Sequence, residues 1–131
     1  MPMLIGDIVR RQARISARKI GVVDEDEQYT YQQLNERANR LANGLQGLGV
    51  QKGDRIAFMA DNCHQYVDAY FGPAKAGLVL VPVNARFNAN EVAYSLNHSE
   101  SDVFIYQDRF EEIVSRARPG LTRVRHFIRI G

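Results

Sequence analysis

Cys63 and His64 stand side by side in a chain with no other cysteine and two further histidines, His98 and His126. A thiol beside an imidazole is the raw material of a cysteine nucleophile. Adjacent side chains usually point in different directions, however, and no third group is evident to orient the base, so a structural cysteine is the simpler reading. The three histidines are too scattered for metal-ligand spacing. No catalytic residue and no metal site is therefore assigned. Neither GxxxxGK(S/T) nor GxGxxG occurs, which removes the two commonest phosphate cradles. Arg116, Arg118, Arg123, Arg125 and Arg129 make the best case for contacts to nucleic-acid phosphates. Only Phe127 accompanies them as a stacking ring, so a solvated or interface strand face is preferred and no nucleic-acid partner is expected. Asn62, Asn84 and Arg86 remain as candidate substrate contacts. Each has a structural alternative: a helix cap for Asn62, a turn for Asn84, and an ion pair or backbone contact for Arg86.

These residues must be carried by regular elements. Leu4, Ile8 and Ile15 fall at helical offsets between Met3 and Ser16, predicting a short amphipathic helix. The apolar run Ile20-Gly21-Val22-Val23, the acidic Asp24-Glu25-Asp26-Glu27 and Gln28-Tyr29-Thr30 predict a hairpin with a loop longer than two residues. Thr30-Tyr31-Gln32-Gln33 has the form of a capping box. Leu34, Ala38, Leu41, Ala42, Leu45 and Leu48 follow on one helical face, and Gly49 is placed to end the helix. A strand is expected at Arg55–Ala60. A helix from about His64 to Ala76 follows, capped by Asp61 or Asn62. Pro73 lies inside it, lacks an N–H and clashes with the carbonyl of Ala69, so a kink or early stop is expected near Gly72-Pro73.

Leu78–Val83 reads as a strand buried on both faces. Asn88-Ala89-Asn90-Glu91 caps a helix to about Ser99 with Val92 and Leu96 inward. Val103–Tyr106 is a strand, and Asp108-Arg109-Phe110-Glu111 caps a helix that buries Phe110, Ile113 and Val114. From Thr122 to Ile130 the residues alternate, Val124, His126, Ile128 and Ile130 opposite Arg123, Arg125, Phe127 and Arg129. Strands alternating with helices give an α/β fold with a mostly parallel sheet flanked by helices. Ligands in such folds bind beyond the carboxyl ends of the strands. That directs attention to Asp61-Asn62, Asn84-Ala85-Arg86 and Gln107-Asp108.

The 131 residues, 45% apolar and 24% charged, suit one globular domain spanning residues 1–131. A net charge of +2 does not by itself imply a polyanionic partner. A lone cysteine fits a reducing compartment, and a cytoplasmic location is expected. No apolar run approaches the roughly 20 residues of a membrane span. Asp7, Arg10 and Arg11 come too early for a secretory signal.

Taken together, the segments resemble a known family. Thr30-Tyr31-Gln32-Gln33-Leu34 looks like the opening of the AMP-binding, adenylate-forming enzymes. Asn39-Arg40-Leu41-Ala42-Asn43-Gly44-Leu45 and Leu48-Gly49-Val50-Gln51-Lys52-Gly53-Asp54-Arg55-Ile56 are similar to the stretches that follow in that family. Asp61-Asn62 and Lys75-Ala76-Gly77-Leu78-Val79-Leu80-Val81-Pro82-Val83-Asn84 continue the likeness in order, with Arg86 and Glu91 at the family's Arg and Glu. Asn84 two residues after Pro82 favours the acyl-CoA synthetase branch over peptide-synthetase adenylation domains.

The resemblance implies an incomplete portion of the acyl-CoA synthetase N-terminal domain. The parent would be an acid–thiol ligase that adenylates a small-molecule carboxylic acid with ATP and Mg²⁺ and then forms a thioester with coenzyme A. The family supplies that chemistry from a Ser/Thr/Gly-rich loop ending in Lys, a Thr-Glu pair, a ribose-binding Asp and a C-terminal Lys. None of these segments occurs in the 131 residues, which hold only Thr30 and Thr122 as threonines. The fragment alone is expected to bind no cofactor and to be inactive. The alternative is a non-catalytic α/β interaction or regulatory module derived from the same fold. An incomplete sheet also leaves an edge and an apolar face through which a homo-oligomer could form.

Overall fold

Thr30 and Asn88 start the two best-defined helices by the same device. The Thr30 hydroxyl accepts from the Gln33 N–H at 3.2 Å while Gln33 Oε1 accepts from the Thr30 N–H at 2.8 Å. Asn88 Oδ1 and Glu91 Oε1 repeat this reciprocal pair at 2.9 and 3.1 Å. Each box satisfies two N–H groups that helix geometry leaves orphaned.

The structure, a computed structural model, describes residues 3–131. In chain order the elements are α1 (Ile5–Ile15), β1 (Ile20–Asp24), β2 (Glu27–Thr30), α2 (Tyr31–Gly47), β3 (Arg55–Met59), α3 (Gln65–Lys75), β4 (Val79–Pro82), α4 (Ala89–His98), β5 (Val103–Gln107), α5 (Glu111–Ala117) and β6 (His126–Ile130). Short 3₁₀ turns occupy Asp108–Phe110 and Arg118–Gly120. The chain divides into two compact units: residues up to Lys52 with Asn62–Leu78, and Gly53–Asp61 with Val79–Gly131.

The first unit is helical with one hairpin. β1 and β2 pair antiparallel with Asp24 opposite Glu27, so the loop is only Glu25-Asp26, shorter than expected. Acidic residues at four successive positions hid the register. Glu25 takes φ 52°, the positive value that tight hairpin turns demand. Val9 of α1 and Leu34 and Ala38 of α2 form the buried centre, with Tyr29, Tyr31, Val67 and Phe71 packed around it. Leu4, Ile8 and Ile15, expected to define the apolar side of α1, are exposed; Val9 is the residue that turns inward. α3 neither stops nor breaks at Pro73 but runs on to Lys75, and Gly77 at φ 73° follows. Pro73 lies in the last turn, where few helical bonds remain to be lost. No side-chain cap precedes α3, so neither Asp61 nor Asn62 fills that role. At Gly72 a Cβ would lie 2.7 Å from Leu41 Cδ2, so glycine is what lets α3 approach α2.

The second unit is a four-stranded parallel sheet in the order β4-β3-β5-β6. One face carries Ala57, Met59, Phe104 and Tyr106, packed with Val92 and Leu96 of α4 and Phe110, Val114 and Ala117. Each fully buried large side chain there contributes about 1.5–3 kcal/mol. Ile56, Phe58, Val103 and Ile105, which alternate with these, are also buried. β4 was expected to be buried on both faces; in this chain it is an edge strand with Val79 46% exposed. Pro82 at its end suits an edge, where its missing N–H costs no ladder bond. β6 begins at His126 rather than Thr122, and Val124 and Phe127 pack on the same cluster, so the expected alternation holds only within the strand. Ile113 is half-buried rather than buried, and the Asp108 region forms a 3₁₀ turn with no side-chain cap.

Candidate functional site

Parallel strands expose their functional loops at the carboxyl ends, and a crevice opens where successive crossovers leave on opposite sides of the first strand. Here β3 has β4 on one side and β5 on the other, so that point lies beyond β3 and β5. Three polar side chains converge there. The Asp61 N–H donates to Gln107 Oε1 at 2.8 Å. Arg109 grips the Asp61 carboxylate with two nitrogens, Nε to Oδ2 and Nη2 to Oδ1, the latter at 2.9 Å. The hydrogen bonds from Arg109 hold the Asp61 carboxyl below the usual range, and the Arg109 guanidinium is correspondingly raised. Arg109 also lies over the Phe110 ring, 4.2 Å from its centroid. The sequence reading reached both loops but treated Arg109 only as part of a helix cap. Its role depends on β3 and β5 being neighbours, which local pattern does not reveal.

At the carboxyl end of β4 the backbone turns sharply. Asn84 Oδ1 accepts from the Arg86 N–H at 2.9 Å, and the Phe87 N–H donates to the Asn84 carbonyl at 3.1 Å. Asn84 thus acts as a turn residue, and the turn brings Asn84 and Arg86 together. Both are exposed, and among the described residues no salt bridge engages Arg86. Asn62, also exposed, belongs to the first unit, in the segment leading to α3.

The opposite, amino-terminal end of the sheet is structural. Asp102 is 4% exposed; its carboxylate accepts from the Arg55 N–H and from Arg123 Nε, each at 3.1 Å. Its backbone bonds Arg55 and Arg125 at 2.8 Å, joining the starts of β3, β5 and β6.

In the first unit His64 takes part in a polar cluster of its own. Its Nδ1 lies 2.8 Å from Asp24 Oδ2 and 3.1 Å from Glu27 Oε2, and its backbone N–H donates to Asp24 at 2.9 Å. Its ring packs on Tyr29 at 5.1 Å. The hydrogen bond from the His64 side chain, followed by that from its backbone, holds the Asp24 carboxyl below the usual range. Burial and the bond to Glu27 push the Tyr29 phenol up. His64 is thus oriented toward the hairpin carboxylates, and Cys63 is half-buried beside it. Among the described residues no group of three or more His, Cys, Asp or Glu side chains is placed to hold a metal ion.

Each of the five C-terminal arginines has an intramolecular partner. Arg116 meets Glu112 at 2.6 Å, Arg123 meets Asp102 at 3.1 Å, Arg125 meets Asp54 at 3.5 Å and Arg129 meets Glu111 at 3.6 Å. Arg118 lies over the Phe127 ring at 3.9 Å. These contacts account for the arginine run as structural pairing.

Comparison with known proteins gives a consistent result. The profile of a family described as AMP-binding enzyme matches residues 9–129. The chain is 42% identical over 86 residues to a crotonobetaine/carnitine–CoA ligase of Proteus mirabilis, covering 66% of this chain and 17% of that protein. It is 36% identical over 126 residues to a long-chain-fatty-acid–CoA ligase of Thermus thermophilus, covering 93% of this chain and 23% of that protein. Among solved structures, a fatty acyl CoA synthetase of Mycobacterium tuberculosis matches with a TM-score of 0.91 at 35% identity, over 97% of this chain and 26% of that one. The chain spans about a quarter or less of the length of each of these relatives.

Proposed function

The chain belongs to the family of AMP-binding enzymes, and on that premise we propose that it is the N-terminal portion of an acyl-CoA ligase. In the whole protein a carboxylic acid is activated with ATP and Mg²⁺, and the acyl group passes to coenzyme A. The observation that carries this reading is continuous likeness over residues 9–129, with relatives that are CoA ligases by name.

The residues present do not by themselves fit a nucleotide and its metal ion. Stabilising charge on a reacting phosphate calls for converging backbone or cationic donors. Beyond β3 and β5 Arg109 is committed to Asp61. No Ser/Thr/Gly-rich segment ending in Lys occurs in the 131 residues. No chemical step is therefore assigned to this chain. Its contribution is positional: the β3–β5 pair and the Asn84 turn set strand ends from which the rest of the protein builds its site. Arg86, exposed with no ion-pair partner among the described residues, is the side chain here best suited to meet an anionic group. Asn62 and Asn84 are weaker claims, because the first is only exposed and the second is occupied by its own turn.

Pyrophosphate release by the purified 131-residue chain, with ATP, Mg²⁺ and a panel of carboxylic acids, tests the positional reading. No acid-dependent release is expected. Sustained turnover would mean that the chain carries its own catalytic groups. The coding sequence after Gly131 tests the ligase reading separately: a Ser/Thr/Gly-rich segment ending in Lys is expected. A stop codon there, with the short chain expressed, would favour a non-catalytic module.

A further inference from the structure

Lys75, the last residue of α3, carries its amine into a cleft where α1, α2 and α3 meet. α1 fixes the stem from one side: a Cβ added to Gly6 would lie 3.1 Å from Lys75 Cα and 3.2 Å from its Cγ. α2 fixes the amine, which donates to Asn35 Oδ1 at 2.6 Å and to Asn39 Oδ1 at 2.7 Å. The cleft is open to solvent and has a volume of about 280 Å³, with Asp7, Arg10 and Asn39 also on its wall.

A partly buried lysine usually faces a carboxylate, and this one does not. Among the described residues no ion pair engages Lys75. Asp7 shares the cleft, but its Oδ1 accepts from Arg10 at 2.9 Å and its Oδ2 from the Leu4 N–H at 3.1 Å. Burial, followed by the Arg10 guanidinium, pushes the Lys75 ammonium below the usual lysine range. The hydrogen bonds suit the neutral form. Two amide oxygens match the two N–H bonds of an amine, whereas the third N–H of an ammonium finds no acceptor among the described residues. With the stem and both N–H bonds held, the lone pair is the position left to the cleft. A desolvated lysine beside a second cation is an activated nucleophile. Lys19 and Lys52, the other two lysines of the chain, are exposed.

We propose that Lys75 is an acylation site, its Nζ taking a short acyl group from a thioester of coenzyme A. The lone pair attacks the thioester carbonyl, the C–S bond breaks with its electrons on sulfur, and one amine proton passes through water to the departing thiolate. The products are an amide at Nζ and a free thiol. The amide keeps a single N–H, so either Asn35 or Asn39 loses its donor and the tie between α2 and the end of α3 is weakened. The choice of donor rests on the ligase reading, but a thioester added ready-made tests the site without any ligase activity.

Incubation of the protein with acetyl-CoA at a series of pH values from neutrality upward, followed by peptide mapping by mass spectrometry, tests this. Near neutrality Lys75 should be acetylated several-fold faster than Lys19 and Lys52. The gap should narrow as pH rises and all three amines lose their protons. Arg10→Gln removes the neighbouring guanidinium and frees the Asp7 carboxylate, and both changes favour the ammonium. The variant should slow Lys75 toward the rate of the other two lysines and leave theirs unchanged. Arg10 is exposed, so the variant should keep the parent's unfolding midpoint; if it does not, the pH trend of the parent decides. A Lys75 that reacts no faster than Lys19 and Lys52 near neutrality, or one whose rate a folded Arg10→Gln variant leaves unchanged, would overturn the proposal. So would labelling of Lys75 by acetic anhydride but not by acetyl-CoA, since a thioester would then not be the donor.

Discussion

His64 joins two elements through one ring nitrogen and one backbone amide, and both bonds run to Asp24 Oδ2, where an ionised carboxylate strengthens them. A carboxylate whose folded value is depressed contributes stability that is complete above its unfolded value, about 3.9. That contribution is lost as pH falls through the lower folded value. Asp24→Asn should therefore lower the unfolding midpoint at neutral pH, and the gap to the parent should close in strong acid. A gap that stays constant across pH would mean that the cluster contributes by packing alone. Arg37 and Asp68 form a firmer pair: Nε and Nη2 reach the carboxylate at 3.1 and 2.7 Å, and Asp68 is 8% exposed. Arg37 also covers Tyr29, with 4.6 Å from its guanidinium carbon to the ring centre. Arg37→Met would leave Asp68 buried without its counter-ion. Fully buried pairs lose 3–5 kcal/mol in that case; with Arg37 27% exposed a cost of roughly 2 kcal/mol is expected by urea unfolding.

Elements set by local chemistry were legible in the sequence. The Thr30 and Asn88 boxes depend on side chains three residues apart, so spacing alone revealed them. Asn88→Ala should cost about 1 kcal/mol by removing one cap acceptor. Elements set by distant neighbours were not legible. Leu78–Val83 reads as fully buried because its composition is apolar, but sheet position decides burial, and β4 lies at an edge of the sheet in this chain. The inward side of α1 was misread for a related reason. Its large residues dominate any periodicity, while close approach to α3 selected Gly6 and Val9. The same rule of close approach applies to α2 and α3. Gly72→Ala should destabilise by about 1–3 kcal/mol through overpacking against Leu41, despite the better helix propensity of alanine. Trimming the neighbour in a Gly72→Ala, Leu41→Ala double variant should cost less than the sum of the two single losses; strict additivity would place the clash elsewhere.

At the scale of the whole molecule, the candidate site was legible as a set of loops but not as a set of contacts. Asp61, Gln107 and the Asn84–Arg86 turn were reached by the rule that ligands gather at strand carboxyl ends. That Arg109 would clamp Asp61 required the sheet order. Family membership rests on likeness spread along nearly the whole chain, residues 9–129. The chain accounts for only 17–26% of the length of the relatives compared, so the chemistry proposed belongs to the protein in which this portion sits. The most direct measurement is product analysis of the protein encoded by the complete reading frame, incubated with ATP, Mg²⁺, coenzyme A and a panel of carboxylic acids. The account predicts AMP and an acyl-CoA thioester formed in equal amounts and only when acid is present. ADP as the nucleotide product, or no acid-dependent AMP with any member of the panel, would contradict it.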